Sequence, residues 1–227
     1  MTWAKICGLC RPDDVALCAA SGADALGFVV DYPADVPWNL TLPQARALMA
    51  LVPRDVERVA VVGEDPDHIL TIADALGPDL VQLHADEDPA TTALLVDALH
   101  ARGVRVAKAL RFDVASGALR TRHAVGDDPA AAARRYVDLG VDVLLVDSMS
   151  ATRPAGTGRT VDLSVARSIR DGAGVPVVLA GGLRPDNVAA AIAAVEPNGV
   201  DVISGVEHPV GRKDPAQVRA FLAAVRG

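Results

Sequence analysis

Long apolar runs, basic clusters and spaced cysteine pairs are all missing from this chain. No uninterrupted apolar stretch is long enough to cross a bilayer, and MTWAKICG at the start shows no basic region followed by an apolar segment and cleavage site, so neither a membrane span nor a secretory leader is expected. Lys and Arg (22) are outnumbered by Asp and Glu (29), giving a net charge of -7, and no run of Lys and Arg interleaves with aromatics. A general nucleic-acid surface is therefore excluded, and any anionic ligand must be met locally. The three cysteines, Cys7, Cys10 and Cys18, crowd the amino end and can make no disulfide framework across the chain, so a reducing cytoplasm is the expected compartment. Cys7 to Cys10 spells C-x-x-C, but no second cysteine pair or spaced histidine pair follows, so no metal is expected.

What is present reads as a folded core. At 51% hydrophobic over 227 residues, the chain fits one large α/β unit, expected to span residues 1–227 as a single domain. Short runs rich in Val, Ile and Leu occur near 3–7, 24–30, 58–62, 79–84, 104–110, 142–147, 175–180 and 200–204. Several are apolar on consecutive residues, as parallel strands covered on both faces require, and parallel strands need crossover helices. Asp65-Pro66, Asp88-Pro89, Asp128-Pro129 and Asp214-Pro215 each offer a capping carboxylate with proline at the first helical position, and Gly22, Gly77, Gly103 and Gly140 follow expected last turns. Eight strand-then-helix units predict a (β/α)8 TIM barrel of the phosphate-binding type. An open doubly wound sheet is the competing fold, but the first turn lacks G-x-G-x-x-G. The segment 111–127 is an unusually long connection on the side where barrel active sites form.

Two turns at the last strands are suited to an anion. Gly181 and Gly182 follow the seventh strand and Ser204 and Gly205 the eighth, where main-chain N–H groups can approach a phosphate unobstructed, and a helix begins near Asp186-Asn187. In the first strand, alternation puts Lys5 and Cys7 on one face, and an ammonium so near a thiol favours the thiolate as base or nucleophile. The alternative is Cys7 as a small buried apolar residue. Asp147 ends the apolar run Leu144-Leu145-Val146; partial burial beside Cys7 would raise its pKa and make it a usable acid, and the alternative is a cap or loop salt bridge. One acid facing one base suggests proton relocation. A thiol-disulfide function for C-x-x-C would leave both glycine turns unexplained.

AKICGL (4–9), GADALGFV (22–29), VQLH (81–84), LLVDS (144–148), GTGRTVDLS (156–164), LAGGLRPDNV (179–188) and VDVISGVE (200–207), in order along nearly the whole chain, resemble the phosphoribosylanthranilate isomerases, barrel enzymes of tryptophan biosynthesis. The resemblance implies an aldose-ketose isomerase, an intramolecular oxidoreductase performing an Amadori rearrangement without cofactor or metal. Asp147 would protonate the ribose ring oxygen, Cys7 would remove the C2′ proton, and Gly181, Gly182, Ser204 and Gly205 would hold the phosphate. Lys5, Gln82, His84, Trp38, Arg111 and Arg153 are expected to line the substrate. The family usually carries an arginine after its Tyr-Pro to hold the anthranilate carboxylate, and the loop from Asp31 to Leu40 has none. Arg111, Arg120, Arg122 or Arg153 is expected to supply that charge, with Trp38 packed on the ring. An isomerase for another N-phosphoribosyl amine, and a non-catalytic phosphate-binding barrel, are the alternatives. The expected partner is a phosphorylated small molecule, with the chain acting as a monomer or homodimer.

Overall fold

The aspartate-proline pairs start helices. Asp65 accepts from the main-chain N–H groups of Asp67 and His68, Asp88 from Ala90 and Thr91, Asp128 from Ala130, and Asp214 from Ala216 and Gln217. Each carboxylate thereby satisfies N–H groups that the first helical turn leaves unpaired, while proline has none to satisfy. Gly22, Gly77, Gly103 and Gly140 all take positive φ, from 55° to 90°, and turn the chain out of its helices.

The computed structural model describes residues 1–113, 118–119, 128–149 and 162–227. Its elements are β1 (Trp3–Ile6), α1 (Pro12–Ala20), β2 (Ala25–Val30), β3 (Asn39–Leu40), α2 (Leu42–Met49), β4 (Glu57–Val62), α3 (Pro66–Leu76), β5 (Leu80–Leu83) and α4 (Pro89–His100). They continue as β6 (Arg105–Asp113), α5 (Pro129–Asp138), β7 (Val143–Met149), α6 (Leu163–Gly172), β8 (Val177–Leu179), α7 (Val188–Val195), β9 (Gly199–Val202) and α8 (Pro215–Arg226). All strand pairings are parallel, in the order β1-β9-β8-β7-β6-β5-β4-β2, and β1 also pairs with β2. That last pairing closes the sheet into an eight-stranded barrel.

Two details depart from expectation. β6 runs on to Asp113 beside β7, so Arg111 belongs to a strand and not to a loop. The two-residue β3 pairs with the end of β2 because Asn39 folds the intervening loop back, its side chain bonding both the N–H and C=O of Tyr32 at 2.8 Å.

Outward-facing strand residues such as Ile6, Leu26, Phe28, Val81 and Leu144 pack against Ile69, Ile72, Leu95 and Phe221 of the helices. Each such large side chain contributes about 1.5–3 kcal/mol on full burial. Inward-facing Ala25, Val59, Leu80, Ala107, Val143, Leu145 and Val178 fill the lower barrel. Above it, polar side chains share the interior with Cys7, Val29, Val61 and Trp38. Among the described residues, no helix is long and apolar enough to cross a membrane.

Candidate active site

Alternation along β1 sets up the first half of the site. Ile6 faces the helices, while Lys5 and Cys7 point into the barrel, Cys7 against Val29, Val61 and Trp38. Gly27 on the neighbouring strand leaves the room they need, because a Cβ there would lie 2.5 Å from Cys7 Sγ and 2.8 Å from Lys5 Cε. Gly27→Ala is therefore expected to displace both groups and cost about 1–3 kcal/mol of stability, with a loss of turnover larger than the loss of folded protein. Urea unfolding and kcat measured together check this; a fully active, equally stable variant would contradict the packing.

Lys5 lies below the cavity and not in its lining. Its Nζ donates to Asp201 Oδ2 at 2.7 Å and to Gln82 Oε1 at 2.8 Å, and Gln82 Nε2 lies 2.8 Å from His84 Nδ1. An ammonium can only donate, so the oxygen of Gln82 must face Lys5 and its amide nitrogen must donate to His84. Nδ1 is then an acceptor, and a neutral His84 carries its proton on Nε2, which lies 3.4 Å from Asp147 Oδ2. The charge on Lys5 thus orients a chain of side chains that ends on Asp147. Asp147 Oδ1 accepts from the N–H of Ser148 at 2.7 Å, and Gly181, at φ 83°, leaves this corner open: a Cβ there would meet Ser148 Oγ at 2.2 Å and Asp147 Oδ1 at 2.8 Å.

Cys7, Gln82, His84, Trp38 and Asp147 line one cavity at the carboxyl ends of the strands, together with Gly181, Gly182, Ser204 and Gly205 on the β8 and β9 side. Among the described residues, the main-chain N–H groups of those last four make no hydrogen bond within the protein. The α7 amino end stands close by, since Asn187 caps the turn through Gly182 C=O (3.0 Å) and Arg184 N–H (2.8 Å). Trp38 is held over the Gly8 turn by Glu207, which accepts from the indole N–H at 2.8 Å and from Lys213 Nζ at 2.7 Å. Arg111 pairs in register with Asp147 but lines an adjoining cavity that shares Tyr32 with the first. Arg120, Arg122 and Arg153 lie outside the described residues.

The electrostatics correct one expectation. Burial pushes the Cys7 thiol up to about 11; the ammonium of Lys5 pulls the other way without overcoming it, and the Asp201 carboxylate adds to the rise. Burial by itself would lower Lys5, yet its partner Asp201 holds it above its ordinary value. Lys5 is neutralised by a carboxylate that strand alternation near Cys7 could not reveal. Asp201, Tyr32 and Glu207 were not singled out from the sequence. Asp201 had a signal, a lone charge between Val200 and Val202 in an apolar strand, whereas Tyr32 and Glu207 stand in stretches that resemble the family but act through contacts across the barrel, to His84 C=O and to Trp38 and Lys213. The three cysteines are free thiols, and among the described residues no cluster of His, Cys, Asp and Glu could hold a metal ion.

The sequence profile of the N-(5'-phosphoribosyl)anthranilate (PRA) isomerases matches residues 4–224. The chain belongs to the PRA isomerase family. A PRA isomerase of Haloferax volcanii is 39% identical over 227 residues, covering 100% of this chain and 94% of the relative. The crystal structure of the Thermotoga maritima PRA isomerase superposes with a TM-score of 0.81 at 31% identity, covering 100% of both chains. A PRA isomerase in complex with reduced 1-(o-carboxyphenylamino)-1-deoxyribulose 5-phosphate superposes with a TM-score of 0.77 at 29% identity, again over 100% of both chains.

Proposed function

We propose that this PRA isomerase family member converts N-(5-phosphoribosyl)anthranilate to 1-(2-carboxyphenylamino)-1-deoxyribulose 5-phosphate, with Asp147 as general acid and Cys7 as general base. The observation that carries this reading is that both side chains line one cavity whose rim presents Gly181, Gly182, Ser204 and Gly205. A phosphate held on those main-chain N–H groups fixes one end of the sugar, so that acid and base meet different atoms of it. Asp147 gives a proton to the ring oxygen, the C1′–O bond breaks, and the amine nitrogen becomes a protonated imine. Cys7 takes the C2′ proton, the electron pair moves into C1′–C2′, and the resulting enolamine tautomerises to the ketone. The protein acts as a monomer or homodimer in the cytoplasm.

Turnover of phosphoribosylanthranilate, followed by loss of its fluorescence, tests this directly. Absence of turnover by the folded protein overturns it and favours another N-phosphoribosyl amine. With a thiol near pH 11, the thiolate fraction grows about tenfold per pH unit through neutrality. In Asp147→Asn, where no acid has to keep its proton while the thiol loses its own, the residual kcat/KM is therefore expected to climb with pH, with no plateau below about pH 9; a plateau already reached at neutral pH in that variant would remove Cys7 as the base.

Arg111 is proposed to meet the carboxylate of the aromatic ring. Lys5 and Lys213 are each buried against a carboxylate, while Arg111 is half-buried at the cavity edge next to Tyr32. Arg111→Glu is expected to raise KM about 10- to 100-fold, since hydrogen bonds to a charged group contribute about 1.5–3 kcal/mol. An unchanged KM would assign the role elsewhere.

A further inference from the structure

Asp201 is a buried carboxylate with one oxygen in use. It sits in the middle of β9, 5% exposed, between Val200 and Val202, which face the helices. Oδ2 takes the ammonium of Lys5 at 2.7 Å, and Oδ1 is buried without a hydrogen-bond partner. The side chain lines the same cavity as Cys7, close enough for its charge to act on the thiol. A buried acceptor left unpaired costs about 1–3 kcal/mol, so a ligand that supplies a donor there gains more than it would from an acceptor already occupied.

The chemistry of the donor follows from the charges. Lys5 already neutralises Asp201, so the free oxygen suits a neutral hydroxyl better than a second cation. With its phosphate on the β8 and β9 turns, a sugar phosphate presents hydroxyls to the cavity interior, and the one nearest Cys7 is carried by the carbon that loses its proton.

We propose that Asp201 Oδ1 accepts a hydrogen bond from the C2′ hydroxyl of the substrate and so turns the C2′–H bond toward Cys7 Sγ. This inference rests on the reaction proposed above. It makes Asp201 a substrate-binding residue, with Lys5 positioning it from below. Cys7 takes the proton from carbon, while Asp201 only holds the oxygen.

The test uses two ligands: the reduced product analogue, which bears a hydroxyl at C2, and the same compound lacking that hydroxyl. Calorimetric Kd values for the wild-type protein are expected to favour the hydroxyl form about 10- to 100-fold. The double variant K5M/D201L removes the acceptor and its counter-charge together and leaves no polar group at this place to meet the hydroxyl. The preference is then expected to shrink to within about threefold. Should the introduced leucine crowd the cavity, K5M/D201A removes the same two groups with less bulk, and the same collapse is expected. Equal affinity of both ligands for the wild type, or an undiminished preference in the variants, overturns the proposal. Wild-type turnover of phosphoribosylanthranilate is measured beside them. Turnover with an undiminished preference removes only the role of Asp201; absence of both turnover and ligand binding removes the reaction as well.

Discussion

Cys7→Ala and Asp147→Asn are each expected to lower kcat by about 10²- to 10⁴-fold, the range that positioned general acids and bases supply. Cys7→Ala removes a small buried side chain and leaves Lys5 on Asp201 and Gln82, so the fold and the polar chain stay in place. Asp147→Asn keeps an oxygen for the N–H of Ser148 but turns an NH2 group toward His84 Nε2, replacing an acid with a group that gives up no proton. The two losses should not add in the double variant, because acid and base act on consecutive steps of one reaction. Single-turnover fluorescence with phosphoribosylanthranilate measures all three proteins. Rates within about threefold of wild type in both single variants would fall far outside the expected range and remove the mechanism.

Lys108→Met is expected to cost about 3–5 kcal/mol of stability, the usual result of leaving one member of a buried ion pair alone. Lys108 and Glu87 are both almost fully buried, and the ammonium donates to Glu87 and, at 2.8 Å, to the C=O of Ala85, 5.5 Å from the centre of the Tyr136 ring. Glu87 also accepts from the N–H of Ala85 at 3.2 Å, so the pair ties β6 to the loop that begins at His84. With Met at 108, Glu87 is left buried without its counter-charge. The double variant K108M/E87Q, which keeps an oxygen for Ala85 and removes the charge, should recover more than half of the loss. Urea denaturation reads both values. A single variant within about 1 kcal/mol of wild type, or a double variant no better than the single, would mean that the pair does not hold this loop.

Much of this was legible along the chain because it depends on neighbours a few residues apart. The aspartate-proline caps, the glycines that close helices and the alternation that sends Lys5 and Cys7 inward are local consequences of backbone hydrogen bonding and strand geometry. They determine the order of strands and helices, and with it the barrel and the placement of the glycine turns at the ends of β8 and β9. Tertiary structure alone decided which partner each buried charge meets. Lys5 reaches Gln82 across 77 positions and Asp201 across 196, and those bonds neutralise the ammonium that nearness in sequence had assigned to Cys7. The same long-range contacts orient His84 toward Asp147 and leave one oxygen of Asp201 free. Electrostatic energy depends on distance and burial in space, so the strand pattern specifies that a charge faces inward, and only the closed barrel specifies what it faces.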